Sequence, residues 1–145
     1  MNVNALVIDD SGIMRKLVMK SLGETRLAVF TFQEAKDGLE ALALFKAGKF
    51  DMLFCDWNMP NMNGLDLIKR IRYELKSKVP IVMITTEGTM DKLEEALNTG
   101  QVDSYIVKPF TAEGVGNKIA PLLQKMSELK KNPPSVFARL AAKVK

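Results

Sequence analysis

Apolar residues fall into five short runs along the chain, each followed by a stretch of helical periodicity. Ala5-Leu6-Val7-Ile8 leads into "SGIMRKLVMKSLGE", where Ile13 pairs with Leu17, and Met14 with Val18, four residues apart. "AVFTF" alternates and is rich in β-formers, and "DGLEALALFKAG" after it places Leu39, Leu42 and Phe45 on one helical face. "MLFC" precedes "GLDLIKRIRYEL", whose period is marked by Leu65, Ile68 and either Ile71 or Arg72. "VPIVMIT" precedes "TMDKLEEALNTG", with Thr89 as N-cap and Gly100 as a C-terminal stop. "SYIV" precedes a last helical stretch beginning near Thr111.

Strands alternating with helices predict βαβ units and a parallel sheet. Continuously apolar strands predict a sheet covered on both faces. The expected fold is therefore α/β: an open, doubly wound, five-stranded parallel sheet with helices on both faces. Five repeats fall well short of an eight-fold barrel.

The last helix carries Gly114, Gly116 and Pro121. Each glycine costs about 1 kcal/mol relative to alanine, and an interior proline roughly 3. A late start, a kink near Pro121, or both are expected. "KKNPPS" reads as a breaker and linker, and "SVFARLAAKVK" as a short amphipathic helix capped by Ser135. The expected organisation is one domain over 1–129 and a basic linker with a short C-terminal helical tail over 130–145.

Charge sharpens that division. Residues 1–127 carry 16 Lys and Arg against 16 Asp and Glu. The net charge of +4 lies in 128–145, where Lys130, Lys131, Arg139, Lys143 and Lys145 face only Glu128. The high pI belongs to the tail, so a nucleic-acid role for the main body gains no support. The chain contains no histidine, which excludes a Ser-His-Asp triad, a histidine general base and any His-liganded metal. One cysteine, Cys55, excludes an internal disulfide, suits a reducing cytoplasm and is expected in the core. No stretch approaches the ~18 apolar residues of a membrane span, and the first residues do not read as a signal peptide. The nine methionines are expected as core filler, with Met59 and Met62 the better candidates for exposed contacts.

In open parallel sheets ligands bind beyond the carboxyl ends of the strands. There the first run delivers Asp9 and Asp10, the third Asp56, the fourth Thr85 and Thr86, and the fifth Lys108. Taken singly, each could be a turn residue or N-cap. Taken together they form a complementary set of three carboxylates, a cation and hydroxyls. Crowded carboxylates repel unless cations intervene. An all-oxygen donor set with one lysine suits Mg²⁺, and positions left open on that ion would receive a phosphate. The set predicts phosphoryl transfer with Asp56 as nucleophile.

"VIDDSGIMRKLV", "CDWNMPNMNGLDLIKRIR", "IVMITTEG" and "YIVKPF" resemble the four signature regions of response-regulator receiver domains, above all the single-domain chemotaxis (CheY-like) type. The resemblance covers residues 3 to about 127. It implies a flavodoxin-like sheet of order 2-1-3-4-5 and a cytoplasmic, phosphorylation-dependent switch of two-component signalling. In that family Asp56 would accept a phosphoryl group from a sensor histidine kinase or a small phosphodonor. Asp10, Asp56 and the backbone carbonyl of Asn58 would bind Mg²⁺, with Asp9 reaching it through water. Lys108 would pair with the acyl phosphate, and its bond to Pro109 would be cis. Thr85 would turn to the phosphate and Tyr105 inward behind it, while Asn58 and Glu87 would tune hydrolysis. Trp57 would be either a partner contact or a flank typical of the family.

The implied partners are a sensor kinase, the flagellar motor switch protein or another output protein, and a phosphatase, with no nucleic acid. Two alternatives stand beside this reading. One is a phosphate sink or adaptor that acts on a non-motor partner through its tail. The other is an aspartyl-phosphate phosphatase of the haloacid dehalogenase type, which needs a second Asp where this chain has Asn58. The main reading expects no enzyme beyond self-phosphorylation and acyl-phosphate hydrolysis. Two departures from the family, one extra residue between Gly100 and Tyr105 and the altered last helix with its tail, are expected on the output face.

Overall fold

The structure, a computed structural model, describes residues 1–131. Five strands and five helices alternate: β1 (Asn2–Ile8), α1 (Gly12–Thr25), β2 (Val29–Ala35), α2 (Gly38–Ala47), β3 (Met52–Cys55), α3 (Gly64–Lys69), β4 (Ile81–Thr85), α4 (Met90–Asn98), β5 (Ser104–Val107) and α5 (Ala112–Lys131). The strands form one parallel sheet in the order β2-β1-β3-β4-β5, as expected.

The two-residue period of a strand splits the core into two layers. Leu6, Ile8, Leu53, Cys55, Ile81 and Met83 point to one face, where they meet side chains of α2, α3 and α4. Val3, Ala5, Val7, Met52, Phe54, Val82 and Ile84 point to the other, against Val18 and Leu22 of α1 and Val115, Ile119 and Leu123 of α5. Each large side chain so buried contributes roughly 1.5–3 kcal/mol. The central strands β3 and β4 are buried at every position, which explains their unbroken apolar runs.

Side-chain caps fix where helices begin. Ser11, Asp37, Asn63 and Thr89 each accept a hydrogen bond from the backbone N–H three residues on. Thr111 does the same for Gly114 at 3.0 Å, so α5 starts at Ala112 and not late. It then runs through Pro121 without ending. Pro121 lies on the exposed side, while the buried stripe Val115, Ile119 and Leu123 holds the opposite side against the sheet. The rest of the expected linker and amphipathic tail, from 132 onward, lies outside the described residues.

Two expected helix faces are corrected. In α1 the buried pair is Val18 and Leu22, while Ile13 and Leu17 face solvent at 77% and 46% exposure. In α2, Gly38, Ala41 and Leu42 are buried and Leu39 is exposed. In both stretches apolar residues occupy two neighbouring faces, and spacing alone does not say which one meets the sheet. A third departure follows α3. The chain widens into a π-helical turn, Arg70–Glu74, which turns both Ile71 and Arg72 inward.

The loop between β3 and α3 is closed tightly. Gly38 N–H donates to the Met62 carbonyl at 3.1 Å, and Gly64 N–H to that of Trp57 at 2.7 Å. A Cβ at Gly64 would lie 2.0 Å from the carbonyl oxygen of Asp56, which is backbone and cannot swing away. Gly64→Ala is therefore expected to destabilise the protein by roughly 1–3 kcal/mol, read from urea denaturation, and to displace Asp56. An unchanged midpoint would contradict this contact.

Candidate functional site

The carboxyl ends of β1, β3, β4 and β5 deliver Asp9, Asp56, Thr85 and Lys108 to one edge of the sheet, with Asp10 beside them. Carboxylate oxygens of Asp9, Asp10 and Asp56 lie within 4.8 Å of one another; Asp9 and Asp56 are buried and Asp10 is exposed. Lys108 Nζ donates to Asp9 Oδ2 at 2.7 Å and to Asp56 Oδ2 at 3.3 Å, with only 9% of its side chain exposed. The Lys108–Pro109 peptide is cis, as the resemblance implies.

The electrostatics follow from crowding in a dry place. Burial pushes the Asp56 carboxyl above the usual range; Lys108 opposes the rise, Asp9 adds to it, and hydrogen bonds from Thr85 and the Trp57 N–H moderate it. Burial alone would lower Lys108, but its hydrogen bond to Asp9 and the charges of Asp56 and Asp9 outweigh that and raise it. Lys108 therefore stays charged. Three carboxylates against one ammonium leave two negative charges, the complement of one divalent cation. The donors are hard oxygens, as Mg²⁺ prefers. The Asn58 carbonyl, the other expected donor, accepts no main-chain hydrogen bond among the described residues.

Behind Asp56 the expected switch residues are linked. Thr85 is fully buried, and its hydroxyl accepts from Glu87 N–H at 3.3 Å. The Tyr105 hydroxyl donates to the Glu87 carbonyl, and the ring is turned inward with 8% exposure. Burial and the charges of Glu87 and Asp56 push this phenol up to about 12, so it remains a donor throughout the physiological range. Asn58 Nδ2 donates to Glu87 Oε1 at 2.7 Å. One residue thus touches Asn58 with its side chain and Tyr105 with its backbone.

Several neighbours were not anticipated. Arg15 donates to the Asp9 carbonyl at 2.6 Å while paired with Glu34 on β2 at 2.9 Å, so it braces the turn that presents Asp9 and Asp10. Asp37 caps α2 and accepts from Asn61 at 2.9 Å, tying the β3–α3 loop to α2; both bonds hold its carboxyl below the usual range. Trp57 is buried, which removes it as a partner contact, and Lys92 of α4 sits 4.6 Å from its ring centre. Met59 and Met62 are half-buried against the core and not exposed contacts. Cys55 is buried as expected, and burial and the charge of Asp56 raise its thiol far above reactivity.

The sequence profile of the response regulator receiver domain matches residues 5–120. The chain belongs to this family. A chemotaxis protein CheY-3 of Vibrio cholerae is 41% identical over 126 residues, covering 86% of this chain and 95% of that protein. A chemotaxis protein CheY homolog of Campylobacter jejuni is 44% identical over 120 residues, covering 81% and 90%. Among solved structures, Vibrio cholerae chemotaxis protein CheY4 superposes with a TM-score of 0.70 at 32% identity, covering 86% of this receiver and 98% of that chain. As a receiver the chain has the two-component response-regulator architecture, and its acidic cluster stands where the family's implied Mg²⁺ site belongs. No helix among the described residues is long and apolar enough to cross a membrane.

Gln101, Val102 and Asp103 form the loop that leads into β5. That loop is at the amino ends of β4 and β5, the sheet edge opposite Asp56. Asp103 N–H donates there to the Ile81 carbonyl at 2.8 Å, and Arg72 holds the Gln101 carbonyl at 3.1 Å. This loop is thus bound to the π-helical turn.

Proposed function

We propose that this receiver is a phosphorylation-dependent switch in which Asp56 accepts a phosphoryl group from a sensor histidine kinase. The observation that carries the reading is Lys108 Nζ between Asp9 and Asp56, with the Asp10 carboxylate alongside. An Asp56 oxygen attacks phosphorus, the bond from phosphorus to the kinase imidazole breaks, and that nitrogen regains a proton from water. Asp10, Asp56 and the Asn58 carbonyl would hold Mg²⁺, with Asp9 reaching it through water, and the ion would supply charge neutralisation for the transferring group. Lys108 would pair with the phosphoryl oxygens once Asp56 carries the acyl phosphate.

Phosphorylation replaces the Asp56 carboxylate by a group of up to about two negative charges, a net gain of about one beside Thr85 and Lys108. Thr85, whose oxygen now accepts from Glu87 N–H, then gains a phosphoryl oxygen to which its hydroxyl can donate, and turning toward it loosens the bond from Glu87. The Thr85–Glu87–Tyr105 chain carries that change toward α4 and β5, where Met90, Leu97 and Val107 are exposed. The names of the relatives support a role in chemotaxis, and output to the flagellar motor switch is the reading put to the test below. Asn58 is engaged with Glu87 where a haloacid dehalogenase-type phosphatase would need a second carboxyl acid, which supports a switch over a multiple-turnover enzyme.

The test is acetyl phosphate with Mg²⁺, followed by intact-mass spectrometry and Trp57 fluorescence. One phosphate should be gained per chain, with a fluorescence change as α4 and Lys92 respond. Sustained phosphate release from p-nitrophenyl phosphate would instead favour the phosphatase. Capture of a motor-switch N-terminal peptide should be stronger after activation; equal capture would favour a sink or adaptor.

A further inference from the structure

Of the four non-glycine residues at positive φ among the described residues, Lys76 (55°) and Gln101 (53°) line one open cleft of about 420 Å³. Holding such residues in the left-handed region is unfavourable for side chains with a Cβ and needs surrounding structure to enforce it. Here the enforcing group is Arg72. Its guanidinium binds the carbonyls of Ser77, Val79 and Gln101 and the carboxylate of Asp103, and so locks both loops around the cleft.

Charge within this cleft is one-sided. Lys76 and Lys78 enter from the loop before β4 and Lys125 from α5. None of the three is ion-paired among the described residues. The single carboxylate, Asp103, is paired with Arg72 and accepts from the Ile81 N–H at 2.8 Å, both through Oδ2, so its charge is offset before the three lysines are counted. Three ammonium groups around one concavity repel one another, and a multivalent anion would relieve that repulsion. The volume lies within the range of small-molecule sites. No aromatic side chain lines the cleft, so recognition there rests on charge and not on stacking a base.

We propose that the cleft between the Arg72-locked loops and α5 binds a small anion carrying two or more adjacent phosphate groups, through Lys76, Lys78 and Lys125. The site is at the opposite edge of the sheet from Asp56 and works independently of phosphoryl acceptance there. Its occupant would tie α5 to the loops that precede β4 and β5.

The test is calorimetric titration of the full chain with inorganic triphosphate, in metal-free buffer with EDTA at fixed ionic strength. Binding should be one to one. Changing Lys76, Lys78 and Lys125 together to alanine should weaken it at least about tenfold. Changing the exposed Lys20, Lys46 and Lys49 to alanine should leave affinity within about twofold, and Asp56→Asn should not alter it. Equal losses in the two triple variants would reduce the effect to net charge and overturn the proposal. So would affinity unchanged in the cleft variant, no binding of triphosphate, or binding of an acidic peptide but not of triphosphate.

Discussion

Replacing Asp56 by asparagine is expected to reduce phosphoryl incorporation from acetyl phosphate or a phosphorylated kinase to background. The amide cannot act as the nucleophile, and no other carboxylate is equivalently placed. Asp9 is engaged by Lys108 at 2.7 Å and by the Ser11 N–H at 2.9 Å, and Asp10 is exposed. The same substitution should raise stability at neutral pH, because it removes a carboxylate whose ionised form is disfavoured where it sits. Intact-mass spectrometry checks the first outcome and urea denaturation the second. Full phosphoryl incorporation in the variant would overturn the assignment of Asp56.

The sign of the pH dependence follows from the direction of each shift. A carboxyl raised in the folded state holds its proton more firmly there than in the unfolded chain. The Asp56 contribution is therefore neutral below the ordinary carboxylate range, and stability falls as pH climbs from that range through the raised folded value. Asp56→Asn should lack this component, so the gap between variant and wild type should open between strongly acidic and neutral pH. Lys108, raised in turn, contributes stability that is complete below its ordinary value and lost as alkaline pH passes the folded one. That alkaline component should shrink in the variant and persist in part, since Asp9 still faces the ammonium. Adding Mg²⁺ should stabilise the wild type more than the variant, because one carboxylate donor is gone.

The strand ends were legible because parallel topology forces them to one edge, whatever the loops do. Asp9, Asp56, Thr85 and Lys108 could be grouped from that rule alone, and their contacts follow from it. What braces them was not legible. Arg15 stands in a helical stretch where any exposed cation would suit the pattern, and its link to Glu34 depends on how α1 lies across β2. The pairing of Asp37 with Asn61 joins residues 24 apart and needs the loop's docking on Gly38. The faces of α1 and α2 were misjudged for a related reason: Ile13, Leu17 and Leu39 are apolar yet exposed. Hydrophobic periodicity marks which residues could be buried, and the sheet chooses among them.

Arg72→Ala is expected to cost about 3 kcal/mol, lowering the urea midpoint by roughly 1–2 M, while phosphoryl acceptance at Asp56 survives. The side chain is only 6% exposed, and it donates to three carbonyls and to Asp103 at 2.7–3.1 Å. Removing it leaves those acceptors short of a donor and empties the space it filled. The pair with Asp103 is worth less than a fully buried one, because Asp103 is 35% exposed, so most of the loss comes from the carbonyls. Arg72→Lys should recover under half, since an ammonium lacks the planar fork that spans four acceptors on two loops. A loss below about 1 kcal/mol in Arg72→Ala would show that the 76–80 and 100–104 loops hold themselves. The π-helical turn gives the physical reason for the larger value. In a regular helix either Ile71 or Arg72 would face the core. The widened turn buries both, and the energy that sustains it must come from what Arg72 reaches inside.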